Sequence, residues 1–359
     1  MRIAIVAPLV TPIREPQLGG SQALLADIAA GLTTRGHEVD VYGATGSAIE
    51  GARIVDAGID SEQLSETLFR AGETQRATAA TQRAFAQVYE MIGRSGYELV
   101  HNHAFDAPAI EQGIGLGVPV VHTLHLPPDP EVGQALARAR ASDAPPVVAC
   151  VSRRHADAWS KSSEIDLVLP DGVPVDRIEW SPDGGETALF AGRFSPEKGT
   201  AEAIAIARLA GVPVVLVGSP YDEEYARTFV EPHRGSPGVD ICEALPRAEL
   251  WRVMSRSCAV LCPVSWDEPF GLVAAEAQAA GTPVIGFRRG GLVDVVDDGV
   301  TGALVDDLES AAQVLVSVDL FDRRECRKHA ERDLSLDRCL DAHEALYDRV
   351  AGRSHTRIN

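Results

Sequence analysis

No apolar run in the 359-residue chain reaches the roughly 18 residues that a membrane-spanning helix needs. Its opening, MRIAIVAPLV, lacks the long apolar stretch and small-residue cleavage site of a secretory leader, and reads as a first β-strand. Basic residues are scarce: 33 Lys+Arg stand against 52 Asp+Glu, a formal net charge of −19. That balance argues against nucleic acid or an anionic membrane as a partner, and any polyanionic ligand requires a local basic pocket. Cys150, Cys242, Cys258, Cys262, Cys326 and Cys339 include no CxxC pair and no regular spacing. Without an export signal, reduced thiols in a cytoplasmic protein are the expectation. Missing too are internal repeats, low-complexity tracts, the GxGxxG fingerprint of dinucleotide oxidoreductases and the HExxH helix of zinc hydrolases.

What is present is an alternation of short apolar runs with helix-like segments. With 45% hydrophobic residues, the length suggests two domains at about 100–200 residues each. IAIVAP, HEVDVYG, YELVHNH, PVVHTLH, PVVACVS and DLVLP read as strands of a first half. Between them lie SQALLADIAAGLTTRG, with Ser21 as an N-cap and Gly36 as a stop, and a helix over about Thr74 to Gly93. A polar, irregular stretch covers about 46–72. After the polar WSPDGGE at 180–186, TALFAGRF, PVVLVGS, CAVLCPV and TPVIGF supply strands of a second half, with helices in EAIAIARLAG, RAELWRVMS and GLVAAEAQAAG. The pattern predicts two α/β domains of parallel βαβ units, joined near 170–186, with ligands beyond the carboxyl ends of the strands.

Five segments carry possible chemistry. EPFGLVAAE (268–276) places Glu268 and Glu276 at the two ends of an apolar helix start broken by Pro269 and Gly271. The amides of Gly271, Leu272 and Val273 lack partners within such a helix and, with its dipole, suit a phosphate; the carboxylates suit ligand hydroxyls. A solvated acidic pair flanking a core helix fits the same letters. GRFSPEKG (192–199) sets Arg193 and Lys198 on one strand-to-helix loop, able to clamp a diphosphate, or to be two ordinary surface cations. LGGSQ (18–22) offers Gly19 and Gly20 for close backbone approach to a ligand, or a plain flexible loop. HNH and HTLH place His101, His103, His122 and His125 at predicted strand ends. A hydrogen-bonding role for His125 fits better than a metal site, while His37, just past a helix stop, reads as structural. In RRGGLVDVVDDGVTG (288–302), Gly290–Gly291 opens a short helix with Asp294 near its start, and DDGVTG reads as a turn.

Together, in this order, the segments resemble the retaining nucleotide-sugar glycosyltransferases of the GT-B fold, family 4 type. The resemblance runs over nearly the whole chain and is strongest in its second half. It implies two Rossmann-like, doubly wound parallel-sheet domains facing a deep cleft. Residues 1–170 plus about 335–359 would form the acceptor-side domain, with LSLDRCLDAHEALYDRV as the helix crossing back, and 171–334 the donor domain. It further implies Arg193 and Lys198 on the diphosphate, Glu268 on the donor sugar and Glu276 on the ribose. The amides of Gly271, Leu272 and Val273 would meet phosphate and sugar, Gly19 and Gly20 would approach the diphosphate from the first domain, and His125 would lie beside the sugar. The implied reaction is sugar transfer with retention, from a UDP-sugar or a GDP-sugar to a hydroxyl acceptor, with neither cofactor nor catalytic metal. No enzymic nucleophile is visible, which favours front-face attack. Three positions depart from the family pattern: Asp171 for a frequent Asn, Asp294 for a frequent Glu, and Glu243 for a frequent Gly beside the base. Glu243 leaves uracil and guanine open. An epimerase or hydrolase of the same fold, or a non-catalytic sugar-nucleotide-binding protein, would use the same donor motifs.

Overall fold

The computed structural model describes residues 1–17, 19–59 and 79–352. The chain folds into two compact units. One comprises Met1–Arg14, Ser21–Pro170 and Asp337–Asn359; the other comprises Glu15–Gly20 and Asp171–Leu336.

The first unit runs β1 (Arg2–Val6), α1 (Gly20–Thr34), β2 (Glu38–Gly43), β3 (Arg53–Asp56), α2 (Ala79–Gly93), β4 (Leu99–Asn102), α3 (Ala107–Glu111), β5 (Val120–Leu124), α4 (Pro130–Arg140), β6 (Val147–Cys150), α5 (Arg153–Trp159) and β7 (Leu167–Val168). All its strands pair in parallel, in the order β3-β2-β1-β4-β5-β6-β7. A parallel sheet needs both faces covered, and β1 accordingly reads IAIV with every one of those residues buried. Ala4, Val6, Phe85, Val88 and Val100 share one core cluster. Leu124, Leu136, Val148 and Trp159 share another.

Two local expectations shift. Gly20 opens α1, so Ser21 is the helix's second residue and not its cap. Gly36 does end the segment: it takes φ +90°, and the amide of His37 reaches back to the Leu32 carbonyl at 3.1 Å. The helix expected from Thr74 is described from Ala79 on; residues 74–78 lie outside the described residues.

The second unit runs β8 (Ala188–Ala191), α6 (Thr200–Ala210), β9 (Val214–Val217), the single turn α7 (Glu223–Tyr225), β10 (Val239–Cys242), α8 (Arg247–Arg256), β11 (Val260–Cys262), α9 (Leu272–Ala279), β12 (Val284–Phe287), α10 (Leu292–Val295), β13 (Gly302–Val305), α11 (Leu308–Val316) and α12 (Arg323–Asp333). Its sheet is again parallel, ordered β10-β9-β8-β11-β12-β13. Phe190, Ile204, Leu216, Leu261, Ile285 and Leu315 belong to its core.

The last helix, α13 (Leu336–Val350), packs in the first unit. Arg35 binds Asp337, Asp341 and Glu344 along it, His37 meets Glu344 at 2.9 Å, and Tyr347 is fully buried. His37 is thus a structural residue.

Three strands have no counterpart in the sequence reading: β3, β10 and β13. Each is an edge strand of four residues. An edge strand lacks the double apolar coating that marks an interior one, and the RIVD of β3 is exposed at both ends. Among the described residues no helix is long and apolar enough to cross a membrane.

Candidate active site

Open parallel sheets bind ligands outside the carboxyl ends of their strands, where the strand order reverses. In the second unit that reversal falls between β8 and β11. The loop after β8 is GRFSPEKG, and the loop after β11 leads into EPFGLVAAE. Segments 70 residues apart therefore emerge side by side.

Backbone contacts stitch the two loops. The Ser265 amide donates to the Glu197 carbonyl at 3.0 Å, and Ser265 Oγ donates to the Pro196 carbonyl at 3.1 Å. Pro196–Lys198 form one 3₁₀ turn closed by Gly199 at φ +75°. A Cβ at Gly199 would collide with the Pro263 carbonyl oxygen, so glycine is required there for both its backbone angle and its lack of bulk.

On this base Lys198 Nζ lies 2.6 Å from Glu268 Oε2. The same oxygen accepts from Trp266 Nε1 at 2.7 Å, and the ammonium sits 4.8 Å from the Trp266 ring centroid. An ammonium has three N–H donors, of which Glu268 takes one. Arg193 pairs with the buried Glu197 at 3.3 Å and stacks 4.0 Å from the Tyr221 ring centroid. The two predicted cations are thus held by ring faces and single carboxylates while keeping exposed surface, 30% for Arg193 and 22% for Lys198. From that exposed surface an incoming dianion can compete with the carboxylate for each cation.

Gly271, at φ +106°, precedes α9, and no side chain caps the helix start. The first-turn amides of Leu272 and Val273 have no acceptor within their own helix. Gly290 packs so tightly on the backbone of Glu268 that a Cβ would overlap it, and the Gly291 amide donates to the Glu268 carbonyl at 2.5 Å. These glycines hold the chain at Glu268 in place.

Glu276 lies one turn into α9, 4% exposed, and its Oε1 accepts from Arg247 Nη2 at 2.8 Å and from Arg247 Nε at 3.1 Å. Arg247 opens α8 and lies 4.9 Å from the Trp251 ring centroid. Its amide donates to Glu15 Oε2 at 3.2 Å. Glu15–Gly20 belongs to the second unit, so the glycine loop expected to come from the first groups with the donor motifs instead. A Cβ added at Gly20 would meet the Leu272 side chain at ordinary van der Waals distance. Glu243 follows β10 and is exposed.

The histidines belong to the first unit, whose strand order reverses between β1 and β4. His103 follows β4 and His125 follows its neighbour β5, whereas His101 and His122 lie inside those strands. His103 Nδ1 and His125 Nε2 are 2.9 Å apart. His101 spans Tyr347 Oη, at 2.6 Å, and Thr123 Oγ1, at 2.7 Å. His122 Nδ1 accepts from Asn102 Nδ2 at 3.0 Å. Burial pushes His122 and His125 down to about 3, and holds His101 and His103 well below the usual imidazole range. All four rings are neutral at pH 7.

Of the predicted site residues, Arg193, Lys198, Glu268, Gly271, Leu272, Val273 and Glu276 converge on the switch point of the second sheet or on the helix beside it. Arg247, Glu197, Trp266 and Tyr221 were not anticipated. Glu197 and Trp266 had local signals, an i,i+4 spacing from Arg193 and a place two residues before Glu268. Arg247, 29 residues from Glu276, had none.

Similarity to known proteins agrees with this geometry. Residues 18–177 match the model described as Glycosyltransferase Family 4, and residues 176–331 match Glycosyl transferases group 1. A D-inositol 3-phosphate glycosyltransferase of Acidothermus cellulolyticus is 28% identical, across 86% of this chain and 80% of its own. One from Mycolicibacterium smegmatis is also 28% identical, across 85% and 80%. Among solved structures, the sucrose-phosphate synthase of Thermosynechococcus elongatus superposes with a TM-score of 0.77 at 20% identity, over 98% of this chain and all of that one. Anabaena HepE in complex with UDP and glucose gives 0.74 at 17%, over 96% and 99%. The parallel sheets, the reversal points and the matches spanning 18–331 all lead to one conclusion: the chain is a glycosyltransferase of the GT-B fold and belongs to family 4.

Proposed function

We propose that the protein is a retaining transferase that moves a sugar from a nucleotide-diphosphate sugar, UDP-linked in preference to GDP-linked, to a hydroxyl of a small molecule or glycoconjugate precursor. The observation that carries the reading is the Lys198–Glu268 pair at the switch point, beside the uncapped start of α9. In this reading the diphosphate takes Lys198 and Arg193 from their carboxylates and meets the amides of Gly271, Leu272 and Val273. Negative charge growing on the leaving diphosphate is stabilised by donors already in position. Glu268, released from Lys198, accepts from the sugar hydroxyls. Glu276, oriented by Arg247, accepts from the ribose, and His125 binds beside the sugar. The acceptor hydroxyl attacks from the face the diphosphate leaves. Arg193 and Lys198 do for the leaving group what a divalent ion does elsewhere, so turnover should survive EDTA.

Structures of HepE exist with UDP-glucose, which supports a uridine donor, and the name of the curated relatives makes D-inositol 3-phosphate the first acceptor to try. The test is a panel of UDP-, GDP- and ADP-sugars scored for thermal stabilisation, followed by turnover with and without that acceptor and NMR of the product's anomeric configuration. Stabilisation by one nucleotide series and acceptor-dependent transfer with retention are expected. Inversion would sink the retaining step. Release of free sugar that no acceptor alters would replace transferase with hydrolase, and no stabilisation by any sugar nucleotide would remove the donor assignment.

A further inference from the structure

Behind His125 the first unit holds a buried histidine cluster that the donor-site reading leaves unused. One ring nitrogen each of His101, His103 and His343 lie within 4.8 Å of one another. His343 comes from α13, and all three rings are at most 2% exposed. The His101 nitrogens are both engaged, by Tyr347 and Thr123. Nδ1 of His343 lies 2.7 Å from the Cys339 carbonyl, and a carbonyl only accepts, so Nδ1 bears the proton and Nε2 the lone pair. Among the described residues, the ring nitrogens left without a partner in this cluster are Nε2 of His343 and Nε2 of His103.

That asymmetry assigns the protons of the next ring. Burial keeps His103 and His343 neutral, so each ring carries one N–H and one lone pair. A lone pair on His103 Nε2 would add a second unmatched acceptor to a cluster that already holds one on His343. A proton there gives the favourable sign. With its proton on Nε2, His103 has the lone pair on Nδ1, and Nδ1 is the atom 2.9 Å from His125 Nε2. The bond between the two rings then has one direction: His125 Nε2–H donates and His103 Nδ1 accepts. A divalent ion is a poorer occupant, since it would have to break one of the bonds of His101, both of whose nitrogens are engaged.

We propose that His103 is a positioning residue that holds His125 in its Nε2–H tautomer, presenting Nδ1 of His125 as a hydrogen-bond acceptor for a donor-sugar hydroxyl. His125 is the ring of this group that retains surface, at 8% exposure. Its place beside the sugar rests on the function proposed above. The tautomer rests only on the cluster. Which imidazole nitrogen is protonated is set by the bond its other nitrogen makes. A ring of the wrong tautomer would meet a hydroxyl oxygen with N–H and lose the acceptor.

The test is ¹⁵N–¹H long-range correlation on protein labelled at histidine, in the wild type, His103→Asn and His103→Leu, with UDP-glucose hydrolysis as a second readout. Asn offers an oxygen near the Nδ1 position and Leu offers none. The wild-type His125 signals should be those of a pure Nε2–H ring, kept in His103→Asn and lost to a mixture in His103→Leu. Hydrolysis in His103→Leu should show kcat lowered about 10- to 100-fold with little change in KM, and recovery in His103→Asn. An Nδ1–H ring in the wild type would overturn the proposal, and needs no variant to fold. So would joint movement of the His103 and His343 signals on adding one equivalent of Zn²⁺, or equal kcat in wild type and His103→Leu. If the wild type turns over no UDP-glucose, the donor reading loses support while the wild-type spectra still decide the tautomer.

Discussion

Lys198 and Arg247 are both paired with a glutamate, but their exposures separate their roles. Lys198 is 22% exposed and bonded to a carboxylate that keeps 14% of its surface. Lys198→Ala should therefore leave the unfolding midpoint within about 1 kcal/mol of wild type while lowering turnover by about a hundredfold or more. A rate within a factor of two of wild type would remove Lys198 from the leaving-group site. Arg247 and Glu276 are buried against each other, at 10% and 5%. Glu276→Ala breaks a buried ion pair of Arg247 and should cost about 3 kcal/mol in urea denaturation as well as weakening UDP binding. A fully stable variant that binds UDP normally would contradict both roles. The carboxylates of EPFGLVAAE were recognisable as a bracketing pair. Their partners were recognisable only in part, because Lys198 lies in a named motif and Arg247 in none.

At the scale of elements, the junction between the β8 and β11 loops depends on Gly199. Its φ of +75° and the Pro263 carbonyl against its α-carbon both exclude a side chain. Gly211 has a similar φ of +69°, but a Cβ there would meet nothing within 4 Å. Gly211→Ala should then cost about 1 kcal/mol from backbone strain alone. Gly199→Ala should cost clearly more and lower nucleotide-sugar turnover with it, because Lys198 is its neighbour. Equal losses in the two variants would show that the Pro263 contact is unimportant. Interior strands such as IAIVAP and PVVLVGS were legible because both their faces are apolar. β3, β10 and β13 were not, since an edge strand is defined by the strand it adds to and needs only four residues to do so.

Across the molecule, the first unit encloses histidines that are neutral because they are dry. Burial lowers His122 and His125 to about 3 and His155 and His343 to about 4, with His101 and His103 well below the ordinary value. Each has a folded pKa below its unfolded one, so the unfolded chain binds more protons under pH 6.5. Stability is present above that value and drains as pH falls toward the folded pKa, by up to about 1.4 kcal/mol per pH unit for each ring. Hydrogen exchange of the β4 and β5 amides at pH 7 and pH 5 should show protection falling with acid, and His122→Asn should flatten the fall. Protection independent of pH across that interval would mean that the rings are solvated.

The sequence by itself determined the alternation of strands and helices, the two α/β halves and the family's motifs, because apolar periodicity and glycine-bearing loops are local properties. It also picked out Arg193, Lys198 and Glu268, which meet at the second sheet's reversal point, but not the Glu197, Trp266 and Tyr221 that hold them. Only the tertiary structure decided that Glu276 is held by Arg247, that Lys198 is pre-bonded to Glu268 beside Trp266, and that His343 from the last helix completes the cluster behind His125. Those pairings join residues 29, 70 and more than 200 positions apart. No spacing rule reaches that far; the folding of the chain brings them together, and burial keeps the histidines neutral.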